Sequence, residues 1–343
     1  MTGTTVGAMK IDGNLTGTLD SVGAAASRAE DRGYDGLWSV ETSHDPFLPI
    51  TLAADATDRV ELGTGIAVAF ARNPMNLANL AYDLQAFSGR FILGLGSQIK
   101  PHITKRFSME WSSPAARMRE MILAIRTIWD CWDTGDKLDF RGDFYTHTLM
   151  TPMFSPGRNP NGHAKIFLAG VGDLMTKAAG EVADGFLCHA FTTEQYLREV
   201  TIPNLEEGRA KAGKTMAGFE ISGPAFVVTG TNEEEMEASA VGTRQQIAFY
   251  GSTPAYRRVL EMHGWGDLQT ELNTLSKQGE WATMGTLIDD EILNTFAVVA
   301  EPEQIATELN RRYGDVSTRI SFYAPYHSDP ERWAKVMDDL KAA

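Results

Sequence analysis

Cysteine is scarce in this chain: Cys131 and Cys188 are the 2 thiols in 343 residues. One falls in an apparent helix and the other in an apparent buried strand, so there is no disulfide framework, and a reducing compartment is expected. The 7 histidines show no HxH or HExxH spacing, which leaves a metal site without support. No apolar run reaches bilayer-spanning length, and the opening MTGTTVGAMK lacks a signal-peptide core. Basic charge is short too. With 31 Lys and Arg against 45 Asp and Glu, the net charge is −14, which argues against nucleic acid or an anionic membrane as partner. A GxSxG elbow, a GxxxxGK[ST] loop and a Cys-His signature are all missing, so hydrolase and nucleotide-triphosphatase chemistry have no motif to rest on. These absences leave a soluble, cytoplasmic protein acting on a small molecule as the expectation.

What is present is a large apolar content, 43% of residues, arranged in alternating strand-like and helix-like stretches. The stretch Val60–Gln98 sets the pattern. Val60–Ile66 is β-branched and apolar, Asn73-Pro74 supplies a capping residue and a first-turn proline, and Leu77, Leu80, Ala81 and Leu84 share one helical face. Gly89 stops that helix, and Phe91–Leu95 is too uniformly apolar for a sheet with one wet face. Six more strands are read at Met9–Asp12, Tyr34–Glu41, Lys165–Ala169, Asp184–Ala190, Phe219–Thr229 and Arg319–Tyr323. Eight strands alternating with helices predict an α/β fold, and a closed (β/α)8 barrel suits eight better than an open sheet. The whole chain, 1–343, reads as a single domain with insertions at about 97–163 and 251–300, after strands four and seven. Residues 251–299 read as helices and loops with no strand, and Phe140–His163 as irregular.

In such a barrel the chemistry sits at the C-terminal ends of the strands. Gly63, Gly65, Gly94 and Gly96 end two neighbouring strands and read as a flat shelf for a ring, or else as a tight barrel corner. Glu41 ends strand two and can accept hydrogen bonds from a ligand or work as an acid or base; the plain alternative is a salt-bridged strand end. His44 follows, with Asp45 either orienting it as a proton donor or capping the next turn. His102, among Lys100, Lys105 and Arg106, makes a basic loop that either guides an anionic tail or is simply solvated. Gly170-Val171-Gly172 precedes a helix start, a place suited to phosphate or merely a sharp turn, and it is no dinucleotide fingerprint because Leu174 and Met175 stand where the later glycine is needed. His189 ends strand six, either facing the pocket or satisfied within the core.

At LGTGIAVAFARNP, GRFILGLGSQIKPH and IFLAGVGDLMTKAAGEVADGF the chain resembles the bacterial-luciferase-like superfamily, and within it the branch that uses the deazaflavin coenzyme F420. The resemblance implies a TIM barrel, a homodimer joined through the helices after strands two and three, and a non-prolyl cis peptide at Gly65-Ile66 or an adjacent bond. It implies coenzyme contacts at Glu41, Gly65, Ile66, Ala67, Val68, Gly96, Ser97, Gln98 and His102, with a phosphate turn at Gly170, Val171, Gly172, Asp173, Met175 and Thr176. Two positions depart from the sugar-phosphate dehydrogenases of that family. Thr42 replaces their histidine and Ile99 their catalytic glutamate, so His44 and Glu41 are the catalytic candidates here. The reading is an F420-dependent oxidoreductase moving a hydride to or from a small, largely apolar substrate, with walls supplied by Phe144, Tyr145, Phe154, Trp265 and Trp281. The alternatives are an FMN-dependent monooxygenase and, from another class, a cofactor-free binding barrel.

Overall fold

The computed structural model of the chain describes residues 9–342. Its first strands are β1 (Lys10–Asn14), β2 (Gly36–Ser39), β3 (Glu61–Thr64), β4 (Ala67–Val68) and β5 (Phe91–Gly96). A small antiparallel hairpin follows, β6 (Phe140–Arg141) with β7 (Thr146–His147), inside the segment expected to be irregular. Then come β8 (Lys165–Ala169), β9 (Gly185–Leu187), β10 (Glu220–Val228), β11 (Ala297–Val299) and β12 (Arg319–Tyr323). All eight expected strands are present, and β1, β2, β3, β5, β8, β9, β10 and β12 are the staves of a closed parallel (β/α)8 barrel.

Two compact units can be distinguished. The larger holds Asp12–Leu187 and Asn204–Glu220; the smaller holds Cys188–Pro203 and Ile221 onward, with Lys10 and Ile11. In the larger unit the strands run in the order β1-β2-β3-β5-β8-β9, with β4 beside β5. Every residue of β5 is buried, as expected of a parallel strand covered on both faces. The helix Pro74–Ser88 begins where the sequence places it. Asn73 Oδ1 accepts from Asn76 N–H at 3.0 Å, Pro74 occupies the first turn, and Gly89 ends the helix at φ 69°. The helix Pro114–Thr134 buries Met118, Met121, Ile122, Ile125, Trp129 and Trp132 as packing residues. At its N-terminus Ser113 takes φ 33° and its side chain makes no capping bond.

Two carboxylates fasten backbone in this unit. Glu30 accepts from the amides of Asp58 (3.1 Å), Arg59 (2.6 Å) and Val60 (2.7 Å), the residues that lead into β3. Glu120 accepts from the amides of Asp143 (2.9 Å), Phe144 (2.8 Å) and Tyr145 (2.6 Å) and so holds the hairpin of β6 and β7.

In the smaller unit β10 pairs with β12 from Ser222↔Arg319 to Phe226↔Tyr323. It also pairs, over Phe226–Val228, with β11. That strand overturns the expectation of none in 251–299. Ala297–Val299 follows the helix Asp290–Phe296 directly, so no turn residue marks the change of structure.

Candidate functional site

All the residues proposed to contact a coenzyme lie in the larger unit. The chain leaves β3 through a cis peptide between Gly65 and Ile66, one of the adjacent bonds among which the resemblance puts one. It then re-enters the sheet as β4, pairing Ala67 with Leu95 and Val68 with Gly96. This bulge is clamped from the end of β2. Glu41, 6% exposed, accepts from Val68 N–H at 2.7 Å and pairs with Arg72 at 2.6 Å. Arg72 also donates to Val68 O at 3.1 Å and to Asp45 at 3.0 Å. Ala67 and Val68 are fully buried, and both backbone polar groups of Val68 are engaged. What the bulge presents outward is therefore half-buried Gly65 and Ile66.

The paired glycines are explained by packing rather than by an exposed shelf. A Cβ on Gly63 would lie 2.3 Å from the Trp38 ring, and one on Gly94 would lie 1.8 Å from Thr64 O. At Gly96 the Ile66 side chain fills the space, 2.9 Å away, and Gly65 faces Trp38 Cβ at 3.3 Å. Trp38 is itself fixed by donating Nε1–H to Asp12 at 2.8 Å, and Thr64 Oγ1 bridges Gly94 N–H (2.9 Å) and Gly94 O (2.7 Å). The glycines let a tryptophan and a threonine sit beneath the bulge. Of this support, Trp38, Thr64 and Arg72 were not among the expected site residues; the glycines were the sequence signal for the first two, and Arg72 just past the bulge was the signal for the third.

The loops beyond β2 and β5 are joined. Arg106 donates to the Thr42 carbonyl, which ties the turn His102–Arg106 to the loop that carries His44. His44 and His102 are both exposed. Asp45 does not orient His44, because its oxygens accept from Phe47 N–H at 2.9 Å and from Arg72; of the two readings, the turn cap holds. Gln98 takes φ 60° and accepts from Ile99 N–H at 3.0 Å, while the Ser97 hydroxyl donates to Gln98 O at 3.1 Å. Both side chains thus serve their own turn.

Gly170–Thr176 opens the helix Asp173–Val182. Met175 lies over Gly170, where a Cβ would come within 2.5 Å of its Cγ. Gly172 sits at φ 80° with open space where a Cβ would be, and Val171 and Leu174 are exposed beside it. The first intrahelical bond runs from Thr176 N–H to Gly172 O, so the amides of Leu174 and Met175 precede it without an intrahelical acceptor. Thr176 differs from expectation. It is buried and its hydroxyl donates back to Gly172 O at 3.0 Å, so that proton is already used. Asp173 accepts from Asn204 at 3.2 Å.

The expected wall aromatics are mostly engaged elsewhere. Tyr145 accepts from Arg117 at 2.9 Å, Trp265 stacks on His263 at 4.9 Å, Trp281 packs against Phe249 at 6.0 Å, and Phe154 stands in solvent. Among the described residues no group of three or more His, Cys, Asp or Glu is arranged to hold a metal ion. Among the same residues no helix is long and apolar enough to cross a membrane.

The fold and its strand-end loops first define a class, an enzyme-type (β/α)8 barrel with its candidate site past the C-terminal ends of the strands. The chain belongs to the luciferase-like monooxygenase family, an oxidoreductase family whose sequence model matches residues 2–318. An uncharacterized protein of Mycobacterium tuberculosis is 54% identical over 313 residues, covering 91% of this chain and 92% of the relative. The 5,10-methylenetetrahydromethanopterin reductase of Archaeoglobus fulgidus is 26% identical over 314 residues, covering 89% of each. Among solved structures, the coenzyme F420-dependent tetrahydromethanopterin reductase of Methanopyrus kandleri superposes with a TM-score of 0.78 at 20% identity, covering 96% of this chain and 97% of that one.

Proposed function

We propose that this protein is a coenzyme F420-dependent oxidoreductase acting on a small, largely apolar alcohol, carbonyl or activated alkene. The observation that carries the reading is the turn after β3, clamped by Glu41 and Arg72 so that half-buried Gly65 and Ile66 face outward, in a chain whose relatives include a methylenetetrahydromethanopterin reductase and whose fold neighbours include a coenzyme F420-dependent one. The residues present suit such a coenzyme. Half-buried Gly65 and Ile66 would back its ring, while the open space at Gly172 and the amides of Leu174 and Met175 would take a phosphate. Ser97, Gln98 and His102 would border its polar tail.

When bound, the deazaflavin supplies hydride transfer; the chain supplies orientation and a proton. Glu41 holds the bulge in place through Val68 and Arg72 rather than moving a proton. His44, exposed on the loop that Arg106 fastens, is then the candidate proton donor. His44→Ala should leave coenzyme affinity intact and slow turnover by roughly a hundredfold; an unchanged rate assigns the proton to water. A homodimer is part of the proposal, supported by exposed Leu48 and Leu52 on the helix after β2 and exposed Phe87 on the helix after β3.

Titrating the purified protein separately with F420 and with FMN, followed by fluorescence, tests the reading. Saturable binding of F420, with FMN at least tenfold weaker, is expected. Preference for FMN would replace it with a monooxygenase, and binding of neither would make the barrel a cofactor-free binding protein.

A further inference from the structure

The smaller unit contains a histidine that the scheme above does not use. His189 lies two residues past β9, and its Nδ1 accepts from Phe191 N–H at 3.0 Å. That bond fixes the tautomer, so the hydrogen of the neutral ring is on Nε2. Burial pushes the group down to about 4, and the ring is uncharged near neutral pH. The ring is held on two sides. It stacks on Tyr256 at 4.5 Å between centroids and meets Tyr250 edge-on at 4.7 Å. Nε2 has no hydrogen-bond partner among the described residues, and the residue is half-buried.

The surroundings share this character. Tyr250 and Tyr323 pair their hydroxyls at 2.9 Å, and the Tyr256 hydroxyl has no partner among the described residues. Phe191 and Phe226 complete the walls, each 6.5 Å from Tyr250 between ring centroids. His189, Tyr250, Tyr256 and Tyr323 are all half-buried. Tyr323 closes the C-terminal end of β12, and Tyr250 lies in the last turn of the helix that follows β10. An unpaired donor that is buried is destabilising, so a neutral ring with one nitrogen anchored and the other without a partner among the described residues leaves Nε2–H to water or to a ligand. Among the described residues, none of the four rings hydrogen-bonds a charged side chain. Such a setting favours a ligand without charge, and its walls favour a flat body.

We propose that His189, with Tyr250, Tyr256 and Tyr323, forms a binding site for an uncharged, flat molecule bearing a hydrogen-bond acceptor such as a ketone or aldehyde oxygen, which His189 Nε2–H engages. The site is built wholly from the smaller unit and does not rest on the coenzyme assignment.

Acetophenone and ethylbenzene, two probes of nearly equal shape of which only one carries an acceptor oxygen, separate the possibilities. Each is titrated into the coenzyme-free full-length protein and followed by ligand-observed NMR. Wild type should bind acetophenone at least about tenfold more tightly than ethylbenzene, a difference of about 1.4 kcal/mol. His189→Phe should bring that ratio close to one while ethylbenzene affinity holds, and His189→Gln, which keeps a donor, should retain part of it. Equal binding of the two probes by wild type, binding of neither, or an undiminished ratio in His189→Phe would overturn the proposal. If His189→Phe fails to fold, the wild-type ratio and His189→Gln decide.

Discussion

Replacing Glu41 tests whether the bulge is held from the end of β2. In Glu41→Ala the buried Val68 N–H loses its acceptor, which costs about 1–3 kcal/mol. Arg72 loses one partner but keeps Asp45 and Val68 O, so the ion-pair loss should be about half of the roughly 3–5 kcal/mol typical of a broken buried pair. Together these suggest about 2.5–5.5 kcal/mol. At about 2.1 cal/mol/K of unfolding entropy per residue, over 343 residues, that lowers Tm by about 3–8 °C. Glu41→Gln keeps an oxygen for Val68 and should lose only about 1–2 kcal/mol. Urea denaturation gives the free energies, calorimetry gives Tm, and an F420 titration of each variant separates a clamp from a ligand contact. With Glu41 acting as a clamp, affinity should follow stability, with Gln close to wild type and Ala weak. An Ala variant as stable as wild type would refute it, as would a Gln variant that is fully stable yet no longer binds.

Gly63→Ala puts a methyl 2.3 Å from the Trp38 ring and should destabilise by about 1–3 kcal/mol in a denaturation curve, whereas Gly65→Ala meets its nearest atom at 3.3 Å and should do less harm. Gly172→Asp brings a carboxylate to the proposed phosphate turn and should weaken F420 binding about tenfold or more, while leaving a phosphate-free fragment of the coenzyme unaffected. Glu30 is opposed by desolvation, but the Val60, Arg59 and Asp58 amides outweigh it and hold its carboxyl below the usual carboxylate range. A lowered folded pKa gives stability that is present above the unfolded value, about 4.3, and lost as pH falls through the folded one; Glu30→Gln should therefore flatten the acid limb of stability against pH.

The barrel was legible because its strands are short, nearly continuous apolar runs and its helices carry local punctuation, as at Asn73 and Gly89. Both signals lie within a few residues of the structure they specify. The backbone of the candidate site was legible where a motif fixes its shape, as at Gly65-Ile66 and Gly172. The site was misread where the meaning of a residue depends on distant neighbours. A glycine in a strand reports that something occupies the place of its Cβ, but whether that is a ligand or Trp38 is decided by a residue 25 positions away from Gly63. The Glu41–Arg72 pair spans 31 residues, and Asp45 turned to Arg72 rather than to its neighbour His44 for the same reason. The rings around His189 come from three further segments with no shared local pattern, so no window of sequence could gather them.

The tie between Arg106 and Thr42 is made to a carbonyl oxygen, a group that every amino acid carries. The course of that loop is consequently independent of which side chain stands at residue 42, an exposed position. Shape and chemistry are decoupled there. A histidine, the residue that sugar-phosphate dehydrogenases of the family have at the matching place, can be installed as Thr42→His without redrawing the loop. Residue 42 is thus a place where the side chain can be exchanged while the scaffold stays as it is.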